Sequence, residues 1–149
     1  MSRRIIAAAF VATALIAGCS RQPANKTDAP PAASAVDTLD GTKLADFRGD
    51  PAAGEAAFVQ CRACHVIDAG VNLTGPSLHA VVGRKAGRIG GFHYSPAMRT
   101  SGIVWTDAKL FEYLESPRRV VPGTAMGYGG MTDPQKRADV IAYLKANAS

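Results

Sequence analysis

The pattern of apolar residues near the end of the chain has the period of an α-helix. Val140, Ile141 and Leu144 repeat at the spacing of one helix face. Asp133 and Pro134 come before them and suit the N-cap and the first turn, where a missing N–H is tolerated. The sequence therefore predicts a C-terminal helix that begins after Asp133 and buries one face.

A second helix signal lies earlier in the chain. Asp50 can cap a helix that has Pro51 in its first turn and runs into the turn formed by residues 61–65. Gly54 and Phe58 lie four residues apart and therefore share one face of this helix. A glycine on such a face often allows another helix to approach closely, although a helix can also simply tolerate it.

The middle of the chain predicts one more helix and a long loop. Thr106 or Asp107 can cap a helix that stops at Pro117. Its apolar stripe consists of Leu110, Phe111 and Leu114. Residues 66–101 are rich in glycine and include two prolines, so we expect a loop that wraps around the helices. No segment alternates apolar and polar residues as a strand does, so the predicted fold class is all-α.

The first 19 residues have the pattern of a bacterial export signal. A positive start at Arg3-Arg4 precedes an almost entirely apolar run of twelve residues, which is too short to span a bilayer. The sequence Ile16-Ala17-Gly18-Cys19 resembles the cleavage box of lipoproteins, in which the cysteine is lipidated and becomes the new N-terminus. We expect residues 1–18 to be a lipoprotein-type signal peptide and Cys19 to carry lipid. Ordinary cleavage, which gives a soluble periplasmic protein, is the alternative.

The composition changes again after the signal. Residues 20–35 are rich in Pro, Ala and Ser and have almost no bulky apolar side chain, which is typical of a linker. Residues 36–48 are ambiguous, because they include apolar side chains that could pack on a domain. We expect a lipidated N-terminus and flexible linker over residues 19–48 and one compact domain over residues 49–149.

The charge balance of the chain is mildly basic. Lys and Arg number 17 against 12 Asp and Glu, and 15 of them remain without the signal peptide, which leaves a net charge of about +3. The chain has no cluster of Lys and Arg interleaved with aromatic residues, so we expect no nucleic-acid binding. A small positive excess on an exported protein is better suited to steering toward acidic protein partners.

The run Cys61-Arg62-Ala63-Cys64-His65 carries the chemistry of the chain. Cys-x-x-Cys-His is the attachment signature of a c-type haem. Two thiols, two residues apart on the first turn of a helix, can bond to the vinyl groups of one porphyrin, and the next imidazole becomes the fifth iron ligand. A thioredoxin-like pair would need a βαβ pattern, and a zinc site would need a second ligand pair. The βαβ pattern is absent, and Cys19 is the only other cysteine, so a second ligand pair is missing too. We therefore expect one covalent haem c.

A second protein ligand would close the other face of the iron. The candidates are His79, His93, Met98, Met126 and Met131. A lone methionine is usually core filler, and a lone histidine in a loop is usually solvated, so the sequence context has to separate them. Met126 ends the run Val121-Pro122-Gly123-Thr124-Ala125-Met126, a rigid loop that can present one side chain from well outside the helix that leads to His65.

With these motifs the chain resembles the class I cytochromes c of the mitochondrial type, from about Gly49 to Leu144. The matching pieces are Cys61-x-x-Cys64-His65, Gly75-Pro76-Ser77-Leu78-His79, Gly83-Arg84-Lys85-Ala86-Gly87, Gly102-Ile103-Val104-Trp105, Tyr113-Leu114, Pro122-Gly123-Thr124-Ala125-Met126 and Ile141-Ala142-Tyr143-Leu144. Several independent motifs in one order are more specific than the attachment signature alone. The resemblance implies the cytochrome c fold, a small helical domain wrapped around one covalently bound haem.

The resemblance also implies the residues that hold the cofactor. His65 and Met126 are the implied axial ligands, beside the thioether attachments at Cys61 and Cys64. The carbonyl of Pro76 is implied to accept a hydrogen bond from the far nitrogen of His65. The implied contacts of the inner haem propionates are Arg84, Tyr94 and Trp105.

Further implied roles concern the walls of the site and the helix crossing. Tyr113 and Thr124 are implied to border Met126. The implied crossing of the first and last helices consists of Gly54, Phe58 and Tyr143. Trp105 and Tyr113 can also be read as ordinary core aromatics.

Three positions depart from the family pattern. Met98 stands where the family usually has a buried asparagine near the haem. Gln60 and Ala125 stand where mitochondrial members commonly have lysine around the exposed haem edge. The docking patch for redox partners is therefore expected to carry less positive charge than in those members.

The implied function is one-electron transfer by a His/Met-ligated haem, without enzymatic activity. A haem peroxidase or a small-gas-binding protein is the alternative if Met126 is displaced from the iron. Expected partners are a quinol–cytochrome c reductase, a terminal oxidase or a dehydrogenase, and dedication to one of them is a further possibility. We expect a monomer on the periplasmic side of a bacterial membrane, attached through lipid on Cys19.

Overall fold

The computed structural model describes residues 38–148, so the predicted signal peptide, Cys19 and residues 20–37 of the linker lie outside it. The α-helices are α1 (Pro51–Phe58), α2 (Pro96–Thr100), α3 (Asp107–Glu115), α4 (Pro117–Val120) and α5 (Pro134–Ala146), after a 3₁₀ turn at Leu44–Asp46. Within residues 38–148 the only extended pairing is an isolated bridge between Lys85 and Val104. The prediction of an all-α fold is therefore confirmed. None of the helices in this part of the chain has the length and apolar character needed to cross a membrane.

The three long helices begin at the predicted caps. The side chain of Asp50 accepts a hydrogen bond from the Ala52 N–H at 2.9 Å and caps α1. Asp133 accepts from the backbone N–H of Gln135 at 3.0 Å at the start of α5. Of the two candidates for α3, the cap is Thr106, and Asp107 is the first helical residue.

Two short helices were not predicted. α2 lies inside the stretch 66–101, which the sequence assigned to loop, and it starts with Ser95 as cap and Pro96 in the first turn. Pro117 ends α3 as expected, but it also begins α4. Both begin with a proline in the first turn after a serine, but only the Ser95 side chain caps its helix, by accepting from the Met98 N–H, whereas Ser116 makes no side-chain cap at α4.

The crossing of α1 and α5 depends on Gly54. A Cβ atom at Gly54 would lie 2.0 Å from the carbonyl oxygen of Asp139 and 2.8 Å from the Cβ of Tyr143. Only a residue without a side chain allows the two backbones to approach this closely. Next to this crossing, the rings of Phe58 and Tyr143 pack with their centroids 5.2 Å apart. The predicted close approach is therefore observed, and the reading of Gly54 as a merely tolerated residue is wrong.

Residues 38–48, which the sequence assigned to the linker, pack on the domain. Leu44 and Phe47 contact the core, and the ring of Phe47 lies 5.9 Å from that of Phe111. Leu39, by contrast, is 70% exposed. The backbone N–H of Leu39 donates to the buried carboxylate of Glu115 at 2.6 Å. The packed part of the chain thus includes residues before Gly49. The sequence did not predict this, because local composition does not reveal long-range contacts.

Candidate cofactor site

A cavity of about 560 Å³ lies between α1, α3, α5 and the loops that follow α1 and α4. Its volume lies in the range of about 300–1,000 Å³ that is typical of cofactor sites. All ten residues that the sequence assigned to cofactor binding line this one cavity: Cys61, Cys64, His65, Pro76, Arg84, Tyr94, Trp105, Tyr113, Thr124 and Met126. The fold therefore brings together side chains that are separated by up to 65 positions in the sequence.

The two thiols lie on a turn that continues from α1. Helix α1 ends at Phe58, and Cys61 N–H donates to the Phe58 carbonyl at 2.8 Å. The His65 N–H donates to the Cys61 carbonyl at 2.9 Å, which keeps Cys61, Cys64 and His65 on one compact turn. Helix α1 therefore runs into the turn at residues 61–65 as predicted, although the thiols lie on this turn and not on the first turn of a helix.

The thiols of Cys61 and Cys64 are both unpaired and available for attachment. Cys61 is half-buried and Cys64 is exposed. Burial, together with the neighbouring Cys64, raises the pKa of the Cys61 thiol to about 11. At neutral pH the Cys61 side chain is therefore a neutral thiol, which suits an apolar cavity wall.

The ring of His65 is held in one orientation by its neighbours. Its Nδ1 lies 2.7 Å from the carbonyl oxygen of Pro76, and since a carbonyl can only accept, Nδ1 carries the proton. A Cβ at Gly75 would lie 2.4 Å from Cε1 of the ring, so Gly75 forms a cradle that only glycine can provide. Burial lowers the pKa of His65, although the hydrogen bond to Pro76 opposes this. The free nitrogen Nε2 is thus a neutral donor suited to iron.

Met126 is oriented by one side chain of α3 and one of its own loop, Tyr113 and Thr124. The hydroxyl of Tyr113 lies 3.3 Å from Sδ of Met126 and donates to it. Thr124 Oγ1 accepts from the Met126 N–H at 3.2 Å and lies 3.4 Å from the Tyr113 hydroxyl. Burial raises the pKa of Tyr113, partly offset by Thr124, so the hydroxyl keeps its proton at neutral pH. These contacts fix the thioether at the cavity wall.

The other candidate ligands lie in different surroundings. Met131 is buried and packs in the core without lining the cavity, and its N–H donates to the Leu114 carbonyl at 2.8 Å. Met98 and the exposed His93 do line the cavity, whereas His79 does not. The Pro-Gly loop before Met126 favours it over Met131 as a ligand, and the positions of the two side chains support this prediction.

Arg84 supplies positive charge to the wall of the cavity. Its Nη1 donates to the His79 carbonyl at 2.7 Å and its Nη2 to the Ser77 carbonyl at 2.9 Å. Partial burial lowers the pKa of Arg84, but an arginine remains a cation at any physiological pH. Desolvation raises the pKa of the nearby Tyr94. A cation held by two carbonyls, beside a phenol, is suited to carboxylates such as haem propionates.

Trp105 and Tyr113 belong to both the core and the site. Their rings pack with centroids 4.7 Å apart at an angle of 56°, and both side chains are buried. Since both also line the cavity, the two interpretations offered by the sequence apply together. Sequence reasoning missed the contact of Gly75 with His65 and a hydrogen bond between Gln60 and Tyr128. A glycine directly before the motif proline was the only signal for the first of these.

The observed groups fit a covalently attached haem. One cavity combines two free thiols, an imidazole with Nε2 unprotonated, a thioether and an arginine near the wall. The glycine cradle at Gly75 leaves room for the imidazole where any side chain would displace it. This donor set is that of a His/Met-ligated haem and not of a hard cation, for which oxygen ligands are needed.

Comparison with known proteins agrees with this donor set. The chain is 54% identical to cytochrome c2 of Rhodopila globiformis over 98 residues. This alignment covers 65% of this chain and 92% of that protein. It is 43% identical over 101 residues to cytochrome c of Arabidopsis thaliana, covering 66% and 90%. Among solved structures, cytochrome cH from Methylobacterium extorquens matches with a TM-score of 0.63 and 47% identity, covering 66% of this chain and 99% of that one. No family model matches the chain.

These similarities confirm the predicted cytochrome c fold and the predicted cofactor. The chain belongs to the class I cytochrome c family, whose members are electron carriers rather than enzymes and hold one covalently attached haem c.

Proposed function

We propose that the protein carries single electrons by means of a haem whose iron is held by His65 and Met126. The observation that carries this proposal is that both side chains line one cavity, each oriented by a second residue. Pro76 fixes the imidazole at 2.7 Å, and the Tyr113 hydroxyl reaches the thioether at 3.3 Å. With both side chains on the iron, no position would remain for a substrate, which favours electron transfer as the function.

The bound haem supplies a one-electron couple, and the protein provides its surroundings. His65 would hold the iron through Nε2, while its Nδ1 keeps its proton and donates a hydrogen bond to the Pro76 carbonyl, which makes the imidazole more basic. A methionine ligand raises the reduction potential relative to two nitrogen ligands. Trp105 and Tyr113 exclude water from the cavity wall. These residues favour a rigid site whose geometry would change little when the haem gains or loses an electron.

The peroxidase or gas-binding alternative requires an open face on the iron. Met126 would have to be held away from the cavity or be easily displaced. The hydrogen bonds from Tyr113 to Met126 and from Met126 to Thr124 restrain its side chain and backbone instead. The class I relatives likewise support a carrier.

Covalent attachment through Cys61 and Cys64 is tested by extraction. Denaturation in acidified organic solvent should leave the haem on the polypeptide of the wild type. The matched variants Cys61→Ala and Cys64→Ala should each retain haem through a single bond, while the double variant should release it. Release of free haem from the wild type would exclude thioether attachment.

The sixth ligand is tested by a pair of methionine variants. Met126→Ala should abolish the ferric methionine–iron charge-transfer band and allow imidazole to bind. Met131→Ala should keep the band and lower only the stability of the fold, because Met131 packs in the core. The opposite result, with the band lost in Met131→Ala alone, would assign the ligand to Met131.

We further propose a location on the periplasmic side of a bacterial membrane, with residues 1–18 as signal peptide and lipid on Cys19. The support is the sequence Ile16-Ala17-Gly18-Cys19 and the linker composition after it. A diacylglyceryl cysteine with a further acyl chain would make release from the membrane negligible, since each buried CH₂ contributes about 0.8 kcal/mol. A tether would also raise the local concentration at membrane-bound redox partners. Such partners are proposed to be a quinol–cytochrome c reductase, a terminal oxidase or a dehydrogenase.

Fractionation of the native protein tests the anchor. Wild-type protein should pellet with membranes and enter detergent, whereas Cys19→Ala should appear in the soluble periplasmic fraction. Full release of the wild type by osmotic shock, or a mature N-terminus beyond Cys19, would make it an ordinary soluble carrier of the same haem domain.

A further inference from the structure

The loop that follows Met126 has a single side chain to hold it in place. Its sequence is Gly127-Tyr128-Gly129-Gly130, and Met131 then enters the core. Cβ atoms built on Gly127 and Gly129 would meet no other atom within 4 Å. Glycines have the largest conformational freedom to lose, so this backbone resists ordering unless something restrains it. Tyr128 is the residue of the loop that can do so through a side chain.

One end of this loop is fixed by close backbone packing. A Cβ at Gly130 would lie 2.0 Å from the carbonyl oxygen of Glu115, so the backbone there rests directly on the end of α3. The other end is Met126, whose N–H is held by Thr124 at 3.2 Å. Between them, the position of the loop depends on what the Tyr128 side chain contacts.

Tyr128 is hydrogen-bonded to the opposite side of the cavity mouth. Its hydroxyl donates to Oε1 of Gln60 at 3.0 Å. The Gln60 amide is itself oriented, because its Nε2 donates to the carbonyl of Ala57 in α1 at 3.1 Å and leaves Oε1 to accept. Gln60 and Tyr128 both line the cavity, one directly before Cys61 and the other two residues after Met126.

This hydrogen bond connects the two segments that carry the proposed iron ligands. Among residues 38–148, it is the hydrogen bond that joins residues 59–65 to residues 124–130. The remaining hydrogen bonds of Met126 and Thr124 run to α3 or within their own loop. A displacement of Met126 away from the cavity, with its loop, therefore has to break the contact between Tyr128 and Gln60.

We propose that Gln60 and Tyr128 form a clasp across the cavity mouth that holds the Met126 loop closed and limits the access of external ligands to the iron. Both are positioning residues that act through Met126. The proposal rests on Met126 as the sixth ligand. One hydrogen bond contributes a net amount that corresponds to roughly 2- to 12-fold in an opening equilibrium. Loss of the clasp should raise the affinity for an external ligand by that factor.

The test measures imidazole binding to the ferric holoprotein at one pH. Tyr128→Phe keeps the ring and removes the hydroxyl, and Gln60→Ala removes the acceptor. Each should raise imidazole affinity by roughly 2- to 12-fold. The double variant should equal either single variant, because both remove the same contact. The ferric methionine–iron band should be present in every variant before imidazole is added.

Gln135→Ala is the matched control. Gln135 is also an exposed glutamine with hydrogen bonds, to the Arg48 carbonyl at 2.9 Å and to Asp139 at 2.8 Å, but it lies on α5 away from the cavity. Its loss should leave imidazole affinity unchanged. An equal rise in Gln135→Ala would mean that general destabilisation, and not the clasp, sets the affinity.

Three other outcomes would overturn the clasp. Unchanged affinity in Tyr128→Phe or in Gln60→Ala would show that the contact does not restrain the loop. Fully additive effects in the double variant would show that the two residues act independently. A wild type without the methionine–iron band would reject the proposed ligation itself, whereas a normal band with unresponsive variants would reject the clasp alone.

Discussion

The carboxylate of Asp40 lies 2.7 Å from Nη2 of Arg137, and this ion pair ties the start of the described chain to α5. The Arg137 side chain is fully buried, with its Cζ 4.4 Å above the ring of Phe111. Nη1 of Arg137 also contacts the buried Glu115 at 3.3 Å and the Met131 carbonyl at 3.0 Å. A buried cation needs such partners, because an uncompensated one is strongly destabilising. The segment that carries Asp40 is thus part of the domain's electrostatic balance.

This ion pair predicts a pH-dependent contribution to stability. Desolvation acts to raise the pKa of Asp40, but hydrogen bonds from Thr42 and Arg137 hold it well below its usual range. A lowered pKa in the folded state means that the contribution is complete above the unfolded-state value of about 3.9 and is lost as pH falls below it. Asp40→Asn should therefore be less stable than the wild type at pH 7, and the difference should shrink below about pH 4.

Urea unfolding of both proteins from pH 7 down to pH 3 measures this difference. Asp68→Asn is a suitable control, since Asp68 is exposed and its carboxylate makes no hydrogen bond within residues 38–148. Its unfolding midpoint should follow the wild type at every pH. A gap between Asp40→Asn and wild type that stays constant down to pH 3 would show that the Asp40 charge is not the source of the stabilisation.

Gly54→Ala should destabilise the fold through the helix crossing. The added Cβ would lie 2.0 Å from the Asp139 carbonyl oxygen, which belongs to backbone and cannot rotate away. Overpacking of this kind costs about 1–3 kcal/mol in the free energy of unfolding. Gly90→Ala is the control, because a Cβ there meets nothing within 4 Å. Equal denaturant midpoints for the two variants would mean that α1 and α5 can separate without cost.

The parts of the molecule that the sequence predicted are those encoded by local signals. Caps such as Asp50 and Asp133 act on the next three residues, so a short window of sequence contains the whole interaction. The haem-attachment run and the loop before Met126 are also contiguous, and the resemblance supplied the pairing between them. The same kind of signal at Ser95-Pro96 was present but was outweighed by the surrounding glycines.

The contacts that sequence reasoning missed join residues far apart in the chain. Asp40 and Arg137 are separated by 97 positions, and Gln60 and Tyr128 by 68. Each of these four residues has a polar side chain, which by itself is typical of a solvated surface. Only the fold shows that Arg137 is fully buried and that Asp40 and Thr42 supply two of its partners. Periodicity could not reveal this, because a charged residue on a helix is exposed by default.

Tyr113→Phe should lower the reduction potential of the haem. The Tyr113 hydroxyl donates to Sδ of Met126 at 3.3 Å and withdraws electron density from the thioether. Without it, sulfur becomes a better donor and the ferric state gains stability. A hydrogen bond worth about 1 kcal/mol corresponds to about 40 mV for a one-electron couple.

A redox titration measures this shift, with Tyr143→Phe as the control. Tyr143 is also a buried tyrosine, but it packs at the crossing of α1 and α5, and its hydroxyl lies 3.4 Å from Arg62. The reduction potential of Tyr143→Phe should equal that of the wild type. An unchanged or higher potential in Tyr113→Phe would mean that the hydroxyl does not act on the sulfur.

Gly75→Ala should displace the imidazole of His65. The new Cβ would lie 2.4 Å from Cε1 and 2.7 Å from Nδ1, so the ring has to move, and its 2.7 Å hydrogen bond to Pro76 weakens. The backbone offers little relief, because the Gly75 N–H is bonded to the Cys64 carbonyl at 2.8 Å. We expect a weaker axial ligand field and a loss of stability of about 1–3 kcal/mol. The ferric low-spin spectrum and urea unfolding measure these effects against Gly90→Ala, whose Cβ is unobstructed. Spectra and midpoints that match this control would show that the ring of His65 does not rest on Gly75 in the loaded protein.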